Sequence, residues 1–511
     1  MTSTSKRIRT GAFSKQWLVM GALITLSGYA CSDDDDTTPG PSGGRSATGG
    51  SGGRSGGTTG SVQGGRSSGG RSSGGTVAVP EAGEAGGGTL GIGGEQPGAG
   101  AGGSAEAGRG GEGGTPESPQ SGGSAGVGGV GGEGGVSDGS GGVVSADPDV
   151  FRPAQLPMSQ ELVDSLSLPT GFQVNVFASG LKHARMLATH GPHLYVTRPM
   201  QNDVLVMTDA DQDGVADTPT AAVTGLSLVH GIAFHGDNVY LSTVSAVYRA
   251  AVNPNGTFGT PAVIVDDLPG GGQHPYRTLG VGPDDKLYIS VGSDCDACAE
   301  TNPENAALLR TNLDGTSREI YATGLRNMLG FGWHPTTGKL WGVDNGSDWR
   351  GDLLPPEELN QVVLGADYGW PYCFGKQQID PVIQDPPDKT KAAYCASTQP
   401  SVLEDDAHGA PTGLVFYSGT SFPEVYRGAA FVALHGSWNR FPPSGYKIAQ
   451  VRFDAQGNPV AFSDFVTGFL VQGATAQFGR PTALTVGPDG ALYFSDDANG
   501  VLYRVQYVNV E

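Results

Sequence analysis

Positive charge is scarce in this chain of 511 residues, which contains 30 Lys and Arg against 51 Asp and Glu. The formal net charge of -21 at pH 7 repels the phosphate backbone of nucleic acids. Long amphipathic helix patterns are also missing, and so is the Cys-x-x-Cys-His sequence that attaches c-type haem. We therefore expect no nucleic-acid partner, no helical fold and no covalently bound haem.

Large aromatic side chains are absent from residues 39–145, which are almost entirely Gly, Ser, Ala, Glu and Arg. Such a segment buries too little apolar surface to offset the entropy of ordering its backbone, so we expect it to be disordered. Residues 151–511 contain nearly all of the Trp, Tyr and Phe, and they are long enough to form one large core.

The N-terminal apolar run, residues 17–27, is too short to span a bilayer and follows several basic residues, which predicts a signal peptide over residues 1–30. The sequence LSGYAC, ending at Cys31, resembles a bacterial lipoprotein signal, with ordinary cleavage as the alternative. Residues 31–150 then form a Gly/Ser-rich tether. We predict export to the periplasm or outer surface, with membrane contact only through a lipid on Cys31.

Only five cysteines occur, and apart from Cys31 they make an even set, as an oxidising compartment favours. Zinc binding is the alternative for Cys295 and Cys298, but no second Cys/His pair has zinc spacing. Four cysteines allow three disulfide connectivities. The simplest of these joins Cys295 to Cys298 and Cys373 to Cys395.

One phrase recurs six times after residue 170: an apolar alternation, a turn with His, Pro, Asp or Gly, and a strand with an aromatic residue. Tyr195, Tyr240 and Tyr288 of the first three copies are 45 and 48 residues apart. Repeats of ~40–50 residues that each form a small sheet are typical of β-propellers. We therefore predict an all-β, six-bladed β-propeller over residues 151–511, in preference to a two-sheet sandwich.

Two details of this fold follow from the same pattern. The turn sequences GPDD and GPDG favour tight antiparallel turns within a copy. Residues 171–181 (GFQVNVFASGL) belong to no copy, so we predict that they close the ring by pairing with residues 501–507. Residues 344–400 read as a loop-rich insertion.

Cationic and imidazole side chains precede the first strand of most copies, although the chain is poor in positive charge. In a propeller these positions surround one channel, which predicts a basic cup for a ligand with carboxylates. The alternative is that each is an ordinary loop residue. The residues are His183, Arg185, His230, His274, Arg277, Arg326, Asn327 and Arg480, with His435, Asn439 and Arg440 in the fifth copy.

Several motifs around these residues resemble the sorbosone dehydrogenase branch of the soluble quinoprotein sugar dehydrogenases. Members of that family are six-bladed propellers that use pyrroloquinoline quinone (PQQ). The likeness covers about residues 165–511, and the pair GLRN and YGWP is its most specific part. The motifs are GGGQHPYRTLGVGPDDKLYISVGS, YATGLRNMLGFGWHP, ADYGWP, HGSWNR and GRPTALTVGPDGALYFSDD.

The resemblance implies a role for each matching residue. His274 corresponds to the general base that removes the hydroxyl proton of a sugar while a hydride passes to the quinone. Arg326 corresponds to the arginine that stabilises negative charge on the quinone oxygen. The implied cofactor contacts are Asn327, Arg480, His435 (where better-studied members have lysine) and Arg440 (from the HGSWNR motif alone).

Calcium is implied at two places. The family joins PQQ to calcium through two main-chain carbonyls, which correspond here to Gly346 and Ser347, where better-known members have Gly-Pro. Independently, DADQDGVAD places carboxylates at alternate positions around Gly214, a spacing that lets one loop wrap a hard cation. Thr220 replaces the bidentate Glu of an EF-hand, and a solvated acidic turn is the alternative. The carboxylates are Asp209, Asp211, Asp213 and Asp217.

The sequence therefore predicts a PQQ- and calcium-dependent dehydrogenase that oxidises a small sugar, either an aldose or a sorbosone-like compound. Its electrons would pass to an external cytochrome or quinone. Two alternatives remain. One is a metal-dependent lactonase propeller, which needs Glu, Asn and Asp ligands around the channel. The other is a non-catalytic, surface-anchored binding propeller.

Overall fold

The structure is a computed structural model that describes residues 150–270 and 272–508. The predicted signal peptide, most of the tether and Cys31 lie outside these residues. All of the described residues belong to one compact unit. No helix in this part of the chain is both long enough and apolar enough to cross a membrane.

Strands dominate the described chain, as the alternating pattern predicts. The two α-helices, Gln160–Asp164 and Lys391–Cys395, have five residues each. Short 3-10 helices occupy Pro199–Gln201 and Glu424–Tyr426. The expectation of an all-β class is confirmed for the residues that the structure describes.

Six sheets of four or five strands account for most of the strands in the described ranges, and we number them 1 to 6. The first two strands of each sheet lie in one copy of the repeated phrase. Sheet 1 has strands Leu187–His190, His193–Arg198, Asp203–Met207 and Thr220–Thr224; sheet 2 has Ile232–His235, Asn238–Ser242, Val247–Ala251 and Ala262–Val265; sheet 3 has Leu279–Val281, Lys286–Val291, Ala307–Asn312, Glu319–Thr323 and Ala366–Asp367; sheet 4 has Gly330–Trp333, Leu340–Asp344, Glu357–Gln361 and Leu403–Asp405; sheet 5 has Pro411–Phe416, Ala430–Leu434, Lys447–Phe453 and Pro459–Val466; sheet 6 has Pro481–Val486, Leu492–Asp496, Val501–Tyr507 and Phe172–Ala178.

Two smaller sheets complete the set in the described chain. Ala476–Gln477 pairs with Ala154–Gln155 on one side and with Leu470–Val471 on the other. Cys373–Phe374 forms a short hairpin with Gln378–Ile379.

The predicted tight turns use the same chemistry in different sheets. In sheet 3 the Asp284 carboxylate accepts a hydrogen bond from the Tyr288 hydroxyl at 3.0 Å. In sheet 6 Asp489 and Tyr493 repeat this contact at 3.1 Å, and Gly490 has the positive φ of 77° that the turn requires. The aromatic residue of the second strand thus fixes the turn that precedes it.

The segment that belongs to no copy pairs with the last long strand of the described chain, as predicted. Phe172–Ala178 pairs antiparallel with Val501–Tyr507, with Val174 opposite Val505. The first long strand of the described chain is therefore the last strand of sheet 6. This pairing ties the two ends of the described chain together.

The predicted loop-rich insertion contains two strands of main sheets: Ala366–Asp367 is the last strand of sheet 3, and Glu357–Gln361 is the third strand of sheet 4. Its sequence, EELNQ, lacks apolar alternation because Glu357 and Glu358 are buried with their carboxylates hydrogen-bonded. Backbone N–H groups supply those bonds, and they depend on loops distant in sequence. This is why the apolar pattern did not reveal the strand.

The core consists of hydrophobic clusters that each join two consecutive sheets, including sheet 6 to sheet 1. Each sheet therefore buries side chains on both faces. Paired residues in these clusters are Leu187 with Leu502 (sheets 1 and 6), Val204 with Val239 (1 and 2), Tyr240 with Leu287 (2 and 3), Tyr288 with Leu340 (3 and 4), Trp341 with Leu414 (4 and 5) and Phe431 with Phe494 (5 and 6).

Candidate active site

One cavity of about 260 Å³ brings together both predicted catalytic residues and several of the predicted cofactor contacts. His274, Arg326 and Asn327 line it together with Gly346 and His435. Residues from the approaches to sheets 3 and 4 therefore share one space with a residue that follows the second strand of sheet 5. This is the convergence that the repeat pattern predicts.

Hydrogen bonds determine the tautomer of His274. Its Nδ1 lies 3.0 Å from the Ser293 carbonyl oxygen and 2.9 Å from the Ser293 hydroxyl. The hydroxyl in turn donates to the Cys295 carbonyl at 2.7 Å. A carbonyl only accepts hydrogen bonds, so Nδ1 carries the proton and Nε2 carries the lone pair. Among the described residues, Nε2 has no hydrogen-bond partner, which leaves it available as a base.

The pKa of His274 is lowered to about 3, mainly by burial and in addition by the positive charge of Arg326. The bond to Ser293 opposes this shift but does not cancel it. His274 is therefore neutral at pH 7. A neutral imidazole can accept a proton without first losing one.

Arg326 is held by acidic partners on one side. Its Nε donates to the Asp296 carbonyl at 2.8 Å, and its Nη2 donates to the Asp296 carboxylate at 2.8 Å. Nη2 also lies 3.2 Å from Asp348. Only 4% of the Arg326 side chain is exposed, and Nη1 has no partner in the described chain. The remaining N–H groups of this fixed cation are available to a ligand in the cavity.

Asn327 and His274 approach each other across a glycine. A Cβ atom on Gly292 would lie 2.5 Å from the His274 Cβ and 2.9 Å from the Asn327 Oδ1. The backbone N–H of Asn327 donates to the buried Asp344 at 2.7 Å, while no described residue bonds its side-chain amide. Gly292 thus permits the close packing that places both side chains on the cavity wall.

His435 belongs to a charged network on another part of the wall. Its Nε2 lies 2.8 Å from Asp497, which also pairs with Arg185 at 2.6 Å. Burial and the charge of Arg480 lower the pKa of His435 to about 4. Burial raises the pKa of Asp497, but contact with His435 and the charge of Arg185 more than offset this and hold it below its ordinary value. Arg185 lines the cavity as well.

The structure does not bring Arg440 and Arg480 to this cavity wall. Arg480 donates to the carbonyls of His435 and Gly436 at 3.2 and 2.7 Å, and it lines a neighbouring cavity. Arg440 donates to the Ala407 carbonyl at 2.7 Å. Both guanidinium groups therefore support the loops that carry His435 and its neighbours.

Other residues of the predicted basic cup also have supporting positions. Arg277 is fully buried and donates to the carbonyls of His274 and Pro269, each at 2.7 Å. His230 is 1% exposed, and its Nδ1 lies 3.1 Å from the Arg277 carbonyl. His183 does not line the cavity. These residues shape the approach to His274 without reaching the cavity themselves.

Gly346 and Ser347, the predicted carbonyl ligands of calcium, lie beside the cavity. The Gly346 N–H donates to Glu357 at 3.0 Å, and the Ser347 hydroxyl accepts from the Trp370 indole at 3.0 Å. Neither carbonyl oxygen accepts a hydrogen bond from any described residue. Two free main-chain oxygens suit a hard cation, which prefers oxygen ligands.

Asn439, which the sequence analysis placed in the basic cup, lines the cavity, and so do Trp438 and Asp348, to which it assigned no site role. The Asn439 amide donates to Asp348 at 3.4 Å, while its buried Oδ1 has no described partner. The available signal was position: Trp438 and Asn439 lie inside HGSWNR, and Asp348 follows the two predicted carbonyl ligands.

The DADQDGVAD loop lies between the third and fourth strands of sheet 1. Carboxylate oxygens of Asp209, Asp211 and Asp213 lie within 4.8 Å of one another. Asp217 is outside this group, since its Oδ2 accepts from the Thr208 hydroxyl and the Ala210 N–H. None of these residues lines the cavity, so the loop is separate from it.

The predicted disulfides are confirmed. Cys295 bonds Cys298 across a separation of three residues, and Cys373 bonds Cys395 across a separation of 22. Bonded sulfurs have no thiolate to offer a metal, which removes the zinc alternative for Cys295 and Cys298.

Solved structures share this fold. The holo form of the PQQ domain of pyranose dehydrogenase from Coprinopsis cinerea aligns with a TM-score of 0.57 and 22% identity, over 67% of this chain and 97% of that chain. A calcium structure of a Trichoderma reesei enzyme of carbohydrate-active family AA12 aligns with a TM-score of 0.59 and 22% identity, over the same shares of the two chains.

The TrAA12-like family model matches residues 166–508. This chain therefore belongs to the TrAA12-like family of PQQ-dependent sugar dehydrogenases. The PQQ-dependent pyranose dehydrogenase of Coprinopsis cinerea is 31% identical over 406 residues, which cover 67% of this chain and 54% of that protein. The resemblance that the sequence motifs indicate is confirmed.

Proposed function

We propose that this protein is a PQQ- and calcium-dependent dehydrogenase that oxidises a sugar, an aldose or a sorbosone-like compound. The observation that carries the proposal is the pairing of His274 and Arg326 in one cavity. His274 presents an unprotonated Nε2, and Arg326 presents a cation that acidic partners hold in place. Membership of a family of PQQ-dependent sugar dehydrogenases gives this pair its chemical context.

The cavity has the features that PQQ, a planar tricarboxylate, requires of a binding site. Arg185 and Arg326 supply positive charge, and Trp438 supplies a flat apolar surface. The unpaired Oδ1 of Asn439 is a buried polar atom that a ligand would satisfy. Asn327 would add its free amide, which agrees with the cofactor role that the motif implies.

The other proposed cofactor contacts differ in their structural support. His435 lines the cavity, and its neutral ring offers a polar contact there. Arg440 and Arg480 donate to backbone carbonyls outside the cavity wall, so their proposed roles rest on the sequence motifs. Through these bonds Arg480 would also orient the His435 loop.

We place calcium at two sites. The free carbonyl oxygens of Gly346 and Ser347 would hold the ion that joins the cofactor, and burial of Ser347 (3% exposed) keeps the loop in one conformation. The loop carboxylates of Asp209, Asp211 and Asp213 would hold a structural ion, with Asp217 bracing the loop through hydrogen bonds.

The reaction divides between the cofactor and the protein. When bound, PQQ supplies a two-electron acceptor that takes a hydride from the carbon bearing the sugar hydroxyl. His274 Nε2 removes the proton of that hydroxyl as the hydride leaves, and the imidazolium that forms keeps its Nδ1–H bond to Ser293. Arg326 stabilises negative charge that develops in the cavity. The electrons then pass to an external cytochrome or quinone.

The two alternative functions receive less support from the cavity. A lactonase needs several carboxylate or amide ligands that converge on one metal ion. Here Glu357 uses its carboxylate oxygens for the N–H groups of Ala410 and Gly346, and Asp348 pairs with Arg326. A non-catalytic binding protein would need neither a base with a defined tautomer nor a clamped arginine beside it.

We further propose that the six sheets are the blades of one six-bladed propeller. The cluster that joins sheet 6 to sheet 1 and the pairing of Phe172–Ala178 with Val501–Tyr507 support a closed ring. Cleavage of residues 1–30, a lipid on Cys31 and a disordered tether over residues 31–150 would place this propeller at a bacterial membrane surface, in the periplasm or outside.

The test is to load the purified full-length chain with PQQ and Ca²⁺ and to measure dye reduction with a panel of aldoses and with sorbosone. We expect stoichiometric cofactor uptake and dye reduction that requires both PQQ and Ca²⁺. Absence of both uptake and dye reduction with every sugar would overturn the proposal. Hydrolysis of sugar lactones without PQQ would instead support the lactonase.

A further inference from the structure

We infer that the four-residue disulfide loop Cys295–Cys298 is a positioning device for both catalytic residues, with Asp296 as the positioning residue of Arg326. The inference rests on the proposed function, because it takes His274 and Arg326 as the residues that act on substrate. Neither the sequence motifs nor the family resemblance assigns a role to this loop.

The loop contacts Arg326 twice. The Asp296 carboxylate accepts from Nη2 and the Asp296 carbonyl accepts from Nε, each at 2.8 Å. The same carboxylate oxygen accepts the Asp348 N–H at 2.7 Å. Two acceptors on one residue define both the position and the plane of the guanidinium group. Asp296 thereby determines the direction in which the remaining N–H groups of Arg326 point.

The same loop reaches His274 through Ser293. The Cys295 carbonyl accepts the Ser293 hydroxyl proton, which leaves the serine oxygen as an acceptor for His274 Nδ1–H. The Ser293 N–H donates to the Arg326 carbonyl at 2.7 Å. Ser293 is fully buried, so these bonds do not compete with water. A displacement of Cys295 would therefore disturb both the Ser293 hydroxyl contact to His274 Nδ1 and the loop that holds Arg326.

The covalent bond makes this arrangement persist. Without it, a loop that begins directly after the strand Lys286–Val291 would be free to turn Asp296 towards solvent, since its side chain is only partly buried (23% exposed). The disulfide removes that freedom by closing a ring around Asp296 and Ala297. The geometry of the catalytic pair is then set by a covalent ring and not by packing alone.

The central test uses Asp296→Asn in the holoenzyme. Asn keeps the shape of the side chain and both carbonyl acceptors but removes the charge opposite Arg326. We expect kcat to fall about 10- to 100-fold, as loss of a charge-assisted contact in the transition state predicts, while KM for the sugar changes less than about twofold. Asp294→Asn is the matched control, because no described residue bonds its side chain, and we expect its kcat to stay within about twofold of the wild type.

A comparison of the two disulfides tests the covalent part. We expect the double variant Cys295→Ser, Cys298→Ser to lower kcat at least as much as Asp296→Asn and to retain bound PQQ. The double variant Cys373→Ser, Cys395→Ser should lower the unfolding temperature with a smaller effect on kcat. Equal loss of kcat in the two double variants would overturn the inference, since the effect would then be one of general stability.

A readout without cofactor separates positioning from simple loss of activity. In the apo protein, ¹⁵N-histidine NMR should report the Nδ1–H tautomer of His274 in the wild type and a changed Nδ1 chemical shift after removal of the Cys295–Cys298 bond, because the Ser293 hydroxyl contact is then disturbed. An unchanged Nδ1 shift together with wild-type kcat would overturn the inference while leaving the proposed function intact. An inactive wild-type holoenzyme would overturn the proposed function itself.

Discussion

At the scale of single residues, chemical type was readable but orientation was not. His274 and Arg326 stand out in the sequence because they precede strands in equivalent copies. Their orientation depends on two other residues. Ser293 determines which ring nitrogen of His274 carries the proton, and Asp296 determines the plane of the Arg326 guanidinium group. Ser293 ends the quoted motif of residues 270–293, whereas Asp296 lies in a loop whose sequence carries no recognisable motif beyond its two cysteines.

Replacement of His274 by Gln is expected to remove the base. Loss of general base catalysis should lower kcat about 10²- to 10⁴-fold while PQQ content stays unchanged. Steady-state dye reduction and cofactor quantification check this. His235→Gln is the matched control, because its imidazole is 40% exposed and lies outside the cavity. A His274→Gln enzyme with wild-type turnover would contradict the assignment of the base.

The titration of His274 gives a second prediction at this scale. Its pKa is lowered to about 3, so the ring stays neutral between pH 8 and pH 5, and kcat should show no acid limb near 6.5 from this residue. Arg326→Gln removes a charge that lowers the pKa, so the pKa should move up towards the ordinary histidine value. NMR titration of the apo protein measures both. Protonation of wild-type His274 near pH 6.5 would contradict the prediction.

At the scale of elements, alternation and turn residues identify the first two strands of each sheet, because both are properties of a few adjacent residues. Glu357–Gln361, a third strand, shows the limit of this signal: its buried carboxylates are satisfied by loops outside the strand. For the DADQDGVAD loop the sequence pattern was right only in part. Its spacing brings three carboxylates together as predicted, but the fourth, Asp217, accepts a hydrogen bond from the loop backbone instead.

Calcium binding by this loop is expected to stabilise sheet 1, because the loop connects two of its strands. At about 100-fold excess over the dissociation constant, one site would add about 2.7 kcal/mol to the free energy of unfolding. Calcium should also raise the unfolding temperature, and the part of this rise that is due to the loop should disappear in the double variant Asp211→Asn, Asp213→Asn. Asp285→Asn is the control, as its side chain is 77% exposed and lies elsewhere. An unchanged calcium response in the double variant would refute the site.

At the scale of the whole molecule, the ends of the described chain meet in sheet 6. Phe172 lies at this junction, where its ring contacts Phe422 and Phe465 of the sheet 5 side and Tyr507 of sheet 6, with centroids 4.7 to 5.1 Å apart. The junction of sheets 5 and 6 therefore rests on an aromatic cluster as well as on strand pairing.

Truncation of Phe172 to Ala should lower the free energy of unfolding by about 3–5 kcal/mol, because it leaves a cavity between two sheets. Phe441→Ala is the control: Phe441 is 62% exposed, and its truncation should change stability by about 0.5 kcal/mol or less. Chemical denaturation of the two variants measures the difference. Similar stabilities would show that the junction does not hold the sheets together.

The sequence by itself determined the all-β class, the six repeated strand pairs and the pairing of residues 171–181 with residues 501–507, and it gave the observed disulfide pairs as the simplest of three connectivities. These features follow from alternation, spacing and residue chemistry, which are local. Only the tertiary structure decided that Trp438 and Asp348 join the cavity, that Arg440 and Arg480 turn to backbone carbonyls, and that the Cys295–Cys298 loop contacts both Arg326 and Ser293. Side-chain direction depends on backbone segments far apart in the chain, and no local pattern encodes where those segments meet.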